Sequence, residues 1–258
     1  MLREFAEHPG PYLTWDAGGK ITRHLRERMC VIVAPTFGIV TSVDTAARDV
    51  PSLLDEVREL IPAGVRTDWY LGSSTRPTDL AETLLTFGLR EPENCSGKLH
   101  ALLLDREPTG VSADVETHEV TTMSDFAAAA EVRWEAFGLT HEQREYERGF
   151  LVTYYEEYLR TKNRSTIGFV ATLDGQIAGS ANALLSERGL FLIGGATAPW
   201  ARRRGVYRAL VGTRWRYAAG RGTPALAAHA IPGTSSPVLR RMGFDRVCSV
   251  RHLEGRPT

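Results

Sequence analysis

Thr197-Ala198-Pro199-Trp200-Ala201-Arg202-Arg203-Arg204-Gly205-Val206-Tyr207-Arg208-Ala209-Leu210 is the stretch that decides how this chain reads. An apolar run from Leu190 to Ile193 feeds it and an apolar-periodic helix leaves it, so strand, loop and helix follow one another. A helix start leaves backbone N–H groups without acceptors and carries about half a positive charge, which suits an anion. Gly205 has no Cβ and lets a phosphate approach the backbone closely. Arg202, Arg203, Arg204 and Arg208 add charge-assisted donors. The spacing predicts a phosphate-holding loop.

An arginine run is more often a solvated face or a nucleic-acid patch. The whole-chain balance argues against the second, since 31 basic side chains meet 31 acidic ones and the pI is near 7.1. At 258 residues and 43% hydrophobic, the chain can bury one large core or two small ones. No apolar run reaches the roughly 18–20 residues of a membrane span, and the opening Met1-Leu2-Arg3-Glu4 lacks a leader's apolar region. A cytoplasmic protein is expected, and the near-exclusive use of arginine over Lys20, Lys98 and Lys162 hints at a bacterial source. Cys30, Cys95 and Cys248 are too widely spaced for a zinc site or a disulfide framework and read as buried thiols, so no metal is expected.

The pattern Arg202-x-x-Gly205-x-Tyr207, with Pro199 three residues ahead, resembles the coenzyme A pyrophosphate loop of the GNAT N-acetyltransferase superfamily, although that family usually has Gly or Ala where Tyr207 stands. The order of elements from Val115 to Leu253 is similar to the whole family fold. It runs strand Val115–Val120, helices Ser124–Gly138 and Glu142–Lys162, and a hairpin of Ile167–Leu173 and Ile177–Leu185 turned by Asp174-Gly175. Strand Leu190–Thr197, the loop, helix Val206–Gly220, strand Ala225–Ile231, helix Ser236–Met242 and Gly243-Phe244 complete it. The fold expected is α/β (α+β), a GNAT fold with a mixed central sheet flanked by helices.

The first 110 residues read as a smaller, degenerate GNAT-like unit: strands Cys30–Ala34 and Phe37–Ser42, amphipathic helix Val50–Ile61, strand Asp68–Leu71, a second helix from Thr78 toward Gly88-Leu89, and strand Leu99–Leu104. Its counterpart of the phosphate loop, Val43 to Pro51, lacks the glycine and carries Asp44 and Asp49, which repel phosphate. Pro108, Gly110 and Ser112 suggest a linker over Glu107–Asp114. The division expected is therefore 1–110 and 111–258.

The resemblance implies acetyl-CoA as co-substrate, an amine acceptor on a small molecule or peptide, and direct attack on the thioester. It implies cofactor contacts from Gly195, Ala196, Thr197, Arg202, Arg203, Arg204, Gly205, Val206, Tyr207 and Arg208, with oxyanion donors near Gly195–Thr197; Gly194-Gly195 reads equally as a bulge. Many relatives place an acidic tyrosine four residues before the final Gly-Phe, where this chain has Leu239. That leaves His229, Tyr207 and Glu135 as candidate proton carriers. Trp134, Glu135, His141, Glu142 and Tyr155 fall where the family's acceptor wall forms. A catalytically silent coenzyme A-binding sensor or scaffold, and an O-acyl or longer-chain transferase, stay open as alternatives. Neither a nucleic-acid nor a membrane partner is expected, and the oligomeric state is open between monomer and homodimer.

Overall fold

The computed structural model describes residues 1–14, 20–92 and 97–256. The chain forms two compact units: Met1–Leu103 with Ala228–Arg240 and Asp245–Thr258, and Leu104–Ala227 with Arg241–Phe244. This differs from a split at residue 110. The last strand belongs to the first unit because its backbone hydrogen-bonds there.

The first unit holds helix α1 (Leu2–Glu7) and strands β1 (Thr22–Leu25), β2 (Cys30–Val33) and β3 (Phe37–Thr41). Helix α2 (Val50–Leu60), β4 (Arg66–Leu71), α3 (Leu80–Thr86) and β5 (Lys98–Leu104) follow. β1, β2 and β3 pair antiparallel in sequence, and β3 runs parallel to β4 with Phe37 opposite Arg66 and Val40 opposite Trp69. The C-terminal strand, Asp245–Gly255, lies antiparallel between β4 and β5, with Leu253 opposite Trp69 and Val250 opposite Leu99. Apolar residues at helical spacing on α2, namely Val50, Leu53, Leu54 and Val57, bury against Val31, Val40, Trp69 and Leu253. Each such side chain contributes about 1.5–3 kcal/mol of burial.

The second unit carries β6 (Glu116–Glu119), α4 (Met123–Ala136), α5 (His141–Arg148), α6 (Leu151–Thr161), β7 (Thr166–Leu173), β8 (Gln176–Ser186) and β9 (Gly189–Thr197). Helix α7 (Val206–Gly220) and the start of β10 (Leu226–Ala230) follow. Strands β6 to β9 form an antiparallel meander, and β10 joins β9 in parallel through Leu226 opposite Leu190 and Ala227 opposite Phe191. Asp174 and Gly175 turn the β7–β8 hairpin with φ of 52° and 75°, the positive values that a two-residue turn between twisted strands requires. The single helix expected over Glu142–Lys162 is two, because at Gly149-Phe150 the N–H groups fold back onto Tyr146 and Glu147 at 3.2 and 3.0 Å.

Alternation along β8 places the helices on opposite faces of this sheet. Ser180 is buried and its Oγ donates to the carbonyl of Ala129 on α4 at 3.1 Å. Its neighbour Gly179 faces α7, where a Cβ would lie 2.4 Å from Val206 Cγ1. The remaining helix, α8 (Ser235–Arg241), and the final strand β11 (Asp245–Gly255) complete the element order.

Among the described residues, no helix is long and apolar enough to cross a membrane. Cys30 is buried and Cys248 partly so, both as free thiols; Cys95 lies outside the described residues.

Candidate active site

Strand β9 is broken where its two glycines stand. Asn182 pairs with Ile193 and Ser180 with Ala196, so the one residue between them on β8, Ala181, faces two on β9, Gly194 and Gly195. Gly194 has φ +60°, which makes this a glycine bulge with one residue left out of the ladder. The two faces of the bulge differ. On the α4 side, a Cβ on Gly194 would lie 3.7 Å from Asn182 Nδ2 and 3.9 Å from Arg133 Cδ. On the α7 side, a Cβ on Gly195 would lie 2.7 Å from Tyr207 Cε2.

The strand then enters the loop. Pro199–Ala201 form a short 3-10 turn, Arg203 has φ +65°, and Gly205 caps α7 with φ +85°. Only glycine suits that cap, since its backbone is left-handed and a Cβ would fall 2.6 Å from Ser112 Oγ. Ser112, in the segment read from sequence as a linker, is packed under the loop, as is Val111 under Gly212. The N–H groups of the first turn of α7 lack intrahelical acceptors by construction. All four loop arginines are exposed. Arg204 pairs with Asp174 at 3.0 Å, whereas Arg202, Arg203 and Arg208 have no ion-pair partner among the described residues.

Tyr207 sits inside the second unit. Burial pushes its phenol above the ordinary tyrosine range, opposed by the neighbouring Arg214 guanidinium. Arg214 is 1% exposed. Its Nε donates to the Leu210 carbonyl at 3.0 Å and its Nη1 to the Asn182 carbonyl beside the bulge at 3.3 Å. Nη2 is buried without an acceptor at hydrogen-bonding geometry, and burial lowers the guanidinium's proton affinity. Arg133 is partly buried, its proton affinity lowered by desolvation. Sequence reasoning passed over both arginines, because on a helix an arginine reads as solvated.

The residues expected along the acceptor wall separate. Trp134 is buried at 8% exposure and Glu135 is exposed. Glu135 lines a cleft of about 450 Å³ with Glu131, Val132, Arg144, Ile177, Ala198 and Trp200. His141 and Glu142 are exposed on the first turn of α5, which Thr140 and Gln143 cap reciprocally at 3.2 and 2.8 Å. Tyr155 is a packing residue: its hydroxyl donates to the Thr121 carbonyl at 2.9 Å and its ring lies 5.4 Å from that of Phe126.

His229 is corrected as a proton carrier. It belongs to the first unit. There its Nε2 donates to the carbonyls of Ala6 and Glu7 at 3.1 and 3.2 Å, which fixes the proton on that nitrogen. Burial lowers its pKa to about 4. Its role is to hold α1 in place. Leu239, at 1% exposure, is likewise a core residue of that unit.

A meander, a glycine bulge, and a strand–loop–helix leading to a parallel strand define the class of fold, and comparison with solved structures agrees. No family model matches the chain, and no curated protein matches it by sequence. A GCN5-related N-acetyltransferase from Kribbella flavida is similar over 100% of this chain and 96% of its own, at 14% identity and a TM-score of 0.66. A GCN5-related N-acetyltransferase from Sphaerobacter thermophilus matches 91% of this chain and 82% of its own, at 17% identity and a TM-score of 0.55. A tandem GNAT protein from the clavulanic acid biosynthesis pathway matches 89% of this chain and 78% of its own, at 11% identity and a TM-score of 0.57. The fold is that of the GCN5-related N-acetyltransferases.

Proposed function

We propose that the second unit transfers an acetyl group from acetyl-CoA to an amine of a small molecule or peptide by direct attack on the thioester. One observation carries the reading: a glycine bulge in β9 and a glycine-capped, arginine-lined start of α7 lie on one continuous segment, Gly194 to Arg208. The left-handed cap at Gly205, the open first turn of α7 and three unpaired arginines fit a pyrophosphate. The backbone from Gly195 to Thr197 would run beside the pantetheine arm, since β9 continues to Thr197 while its pairing with β10 runs through Leu190 and Phe191.

In this reading a neutral amine attacks the carbonyl carbon, the C–S bond breaks after the tetrahedral intermediate, and the thiolate takes a proton. The unpaired bulge backbone supplies donors where the oxyanion forms. Tyr207 is the candidate acid: its phenol is protonated at neutral pH, and the adjacent Arg214 guanidinium, which opposes the rise due to burial, favours the phenolate that proton donation leaves. Glu135, exposed on the cleft, or water accepts the amine's proton. Incubating the full chain with acetyl-CoA and a panel of amines, aminoglycosides and peptide N-termini tests the reading. Thiol release with an acetylated product by mass spectrometry supports it, and binding of coenzyme A without transfer to any amine favours the silent sensor.

A further inference from the structure

Arg133 is the side chain of the second unit whose chemistry the reading above leaves unused. It projects from the face of α4 that carries the buried Ala129 and Ala130, and its Cδ lies 3.9 Å from the Cβ position of Gly194. Asn182 Nδ2 lies 3.7 Å from that same point. Neither the Arg133 guanidinium nor the Asn182 amide has a hydrogen-bond partner among the described residues. Desolvation is what acts on Arg133, with no carboxylate opposing it. Beyond the bulge, Arg214 is a second buried cation with no carboxylate beside it, and one of its nitrogens lacks an acceptor. The bulge where acyl transfer would occur is therefore flanked by two guanidinium groups, neither with a carboxylate beside it.

A desolvated cation is stable where an anion completes it. A planar guanidinium with an adjacent amide donor matches the two oxygens of a carboxylate. Arg214 donates to the Asn182 and Leu210 carbonyls and stands beside Tyr207 on the α7 side, which leaves Arg133 and the Asn182 side chain as the free donors on the α4 side. We propose that Arg133 and Asn182 receive a carboxylate of the acceptor, so that the substrate is a small amine with a carboxylate a few bonds from its nucleophilic nitrogen, an amino-acid-like amine. This rests on the acetyl-transfer reading for its chemistry, but the carboxylate site itself does not.

The test compares glycine, β-alanine and free L-amino acids with their C-terminal amides and with O-phosphoethanolamine, using the full chain, acetyl-CoA and thiol release at about pH 8. Amidation makes the amine less basic and more of it neutral, so amine reactivity alone favours the amides. The expected result is the reverse, with kcat/KM for the carboxylates higher by about tenfold or more. Arg133→Gln should raise KM for the carboxylate by a similar factor while leaving kcat and the KM of acetyl-CoA within about twofold, and Arg133→Lys should recover part of the loss. Amides used as well as carboxylates, a preference for O-phosphoethanolamine, or an unchanged ratio in Arg133→Gln overturns the proposal. A second readout does not need turnover: saturation-transfer NMR of the same free amino acids with coenzyme A present. Signals in the wild type that vanish in Arg133→Gln support the site even when no amine is acetylated, in which case the transfer reading fails alone. No signal from any carboxylate in the wild type removes the site.

Discussion

The ring of Tyr207 occupies the space that a side chain at Gly195 would need, with Cε2 2.7 Å from the Cβ position. The first turn of α7 is thereby packed against the bulge of β9, and the phenol stands beside the Arg214 guanidinium that also holds the Asn182 carbonyl. Tyr207→Phe keeps the ring and removes the acid, so turnover should fall by about 10²–10⁴-fold with acetyl-CoA affinity nearly unchanged. Because burial raises the phenol's pKa, it stays protonated through the neutral range and its acid function is lost only as pH climbs past the ordinary tyrosine value. Gly195→Ala displaces the ring and should cost about 1–3 kcal/mol of stability in denaturant titrations. Wild-type turnover in Tyr207→Phe would remove the phenol from the mechanism.

The loop gives a cleaner binding test. Acetyl-CoA should raise the melting temperature of the whole chain, since a ligand at a hundredfold excess over Kd stabilises the native state by about 2.7 kcal/mol. Arg203→Glu should abolish that shift through charge repulsion while leaving the unliganded melting temperature nearly unchanged, the side chain being exposed and without an ion-pair partner. Gly205→Asp should abolish it too, but with a loss of stability of its own, because the left-handed cap at φ +85° sits over Ser112. Unchanged calorimetric affinity in both variants would move the coenzyme site elsewhere.

His229 makes a prediction about stability rather than turnover. Its folded pKa is lowered to about 4, against about 6.5 unfolded. Between those values the unfolded chain binds a proton that the folded protein refuses. Stability therefore falls as pH drops from about 6.5 to about 4, by an amount on the order of 3 kcal/mol, and levels off below. His8, also depressed by burial, adds to the same slope. In His229→Gln, whose amide can still donate to Ala6 and Glu7, urea midpoints should depend less on pH across this window. Turnover per folded molecule and its neutral pH profile should stay within about twofold of wild type. Loss of a neutral limb in that variant would return the histidine to the reaction.

What the sequence disclosed follows from where the forces are local. Asp174-Gly175 and Gly205 announce themselves because a positive φ restricts residue choice at one position, and Leu53, Leu54 and Val57 do so because helical periodicity is a short-range signal. His229 was misread because its partners, the carbonyls of Ala6 and Glu7, lie more than two hundred residues earlier in the chain. The α1 helix that supplies them is six residues long and has no periodicity to detect. Arg133 and Arg214 escaped notice for a related reason: a helical arginine becomes informative only when its burial and lack of a carboxylate are known. The last strand, Asp245–Gly255, was read with the second half of the chain, although its hydrogen bonds run to β4 and β5.

The first unit should bind no coenzyme A, and its backbone says why. It contains the same strand–loop–helix–strand order, with β3 parallel to β4 and α2 between them in sequence. In its loop, however, three donors are already taken: the N–H of Asp44 bonds to the Arg28 carbonyl at 2.8 Å, that of Thr45 to Arg76 at 3.2 Å and that of Asp49 to Ala46 at 2.9 Å. The second unit differs in what surrounds its helix start: Gly205 caps α7 in the left-handed conformation and exposed arginines flank it, where the first unit has Asp49 at the cap and no glycine. Asp49 also stands at the N-cap of α2, where its carboxylate occupies the favourable end of the helix dipole and repels a second anion. Calorimetric titration of the full chain should give one site per monomer, and Arg203→Glu should leave none. Removing the repulsion with Asp44→Asn and Asp49→Asn should not create a site, because the loop still lacks a glycine and the N–H groups of residues 44, 45 and 49 remain engaged. Two sites in a monomeric preparation, or residual binding in Arg203→Glu, would mean that the first unit has kept a coenzyme cradle of its own.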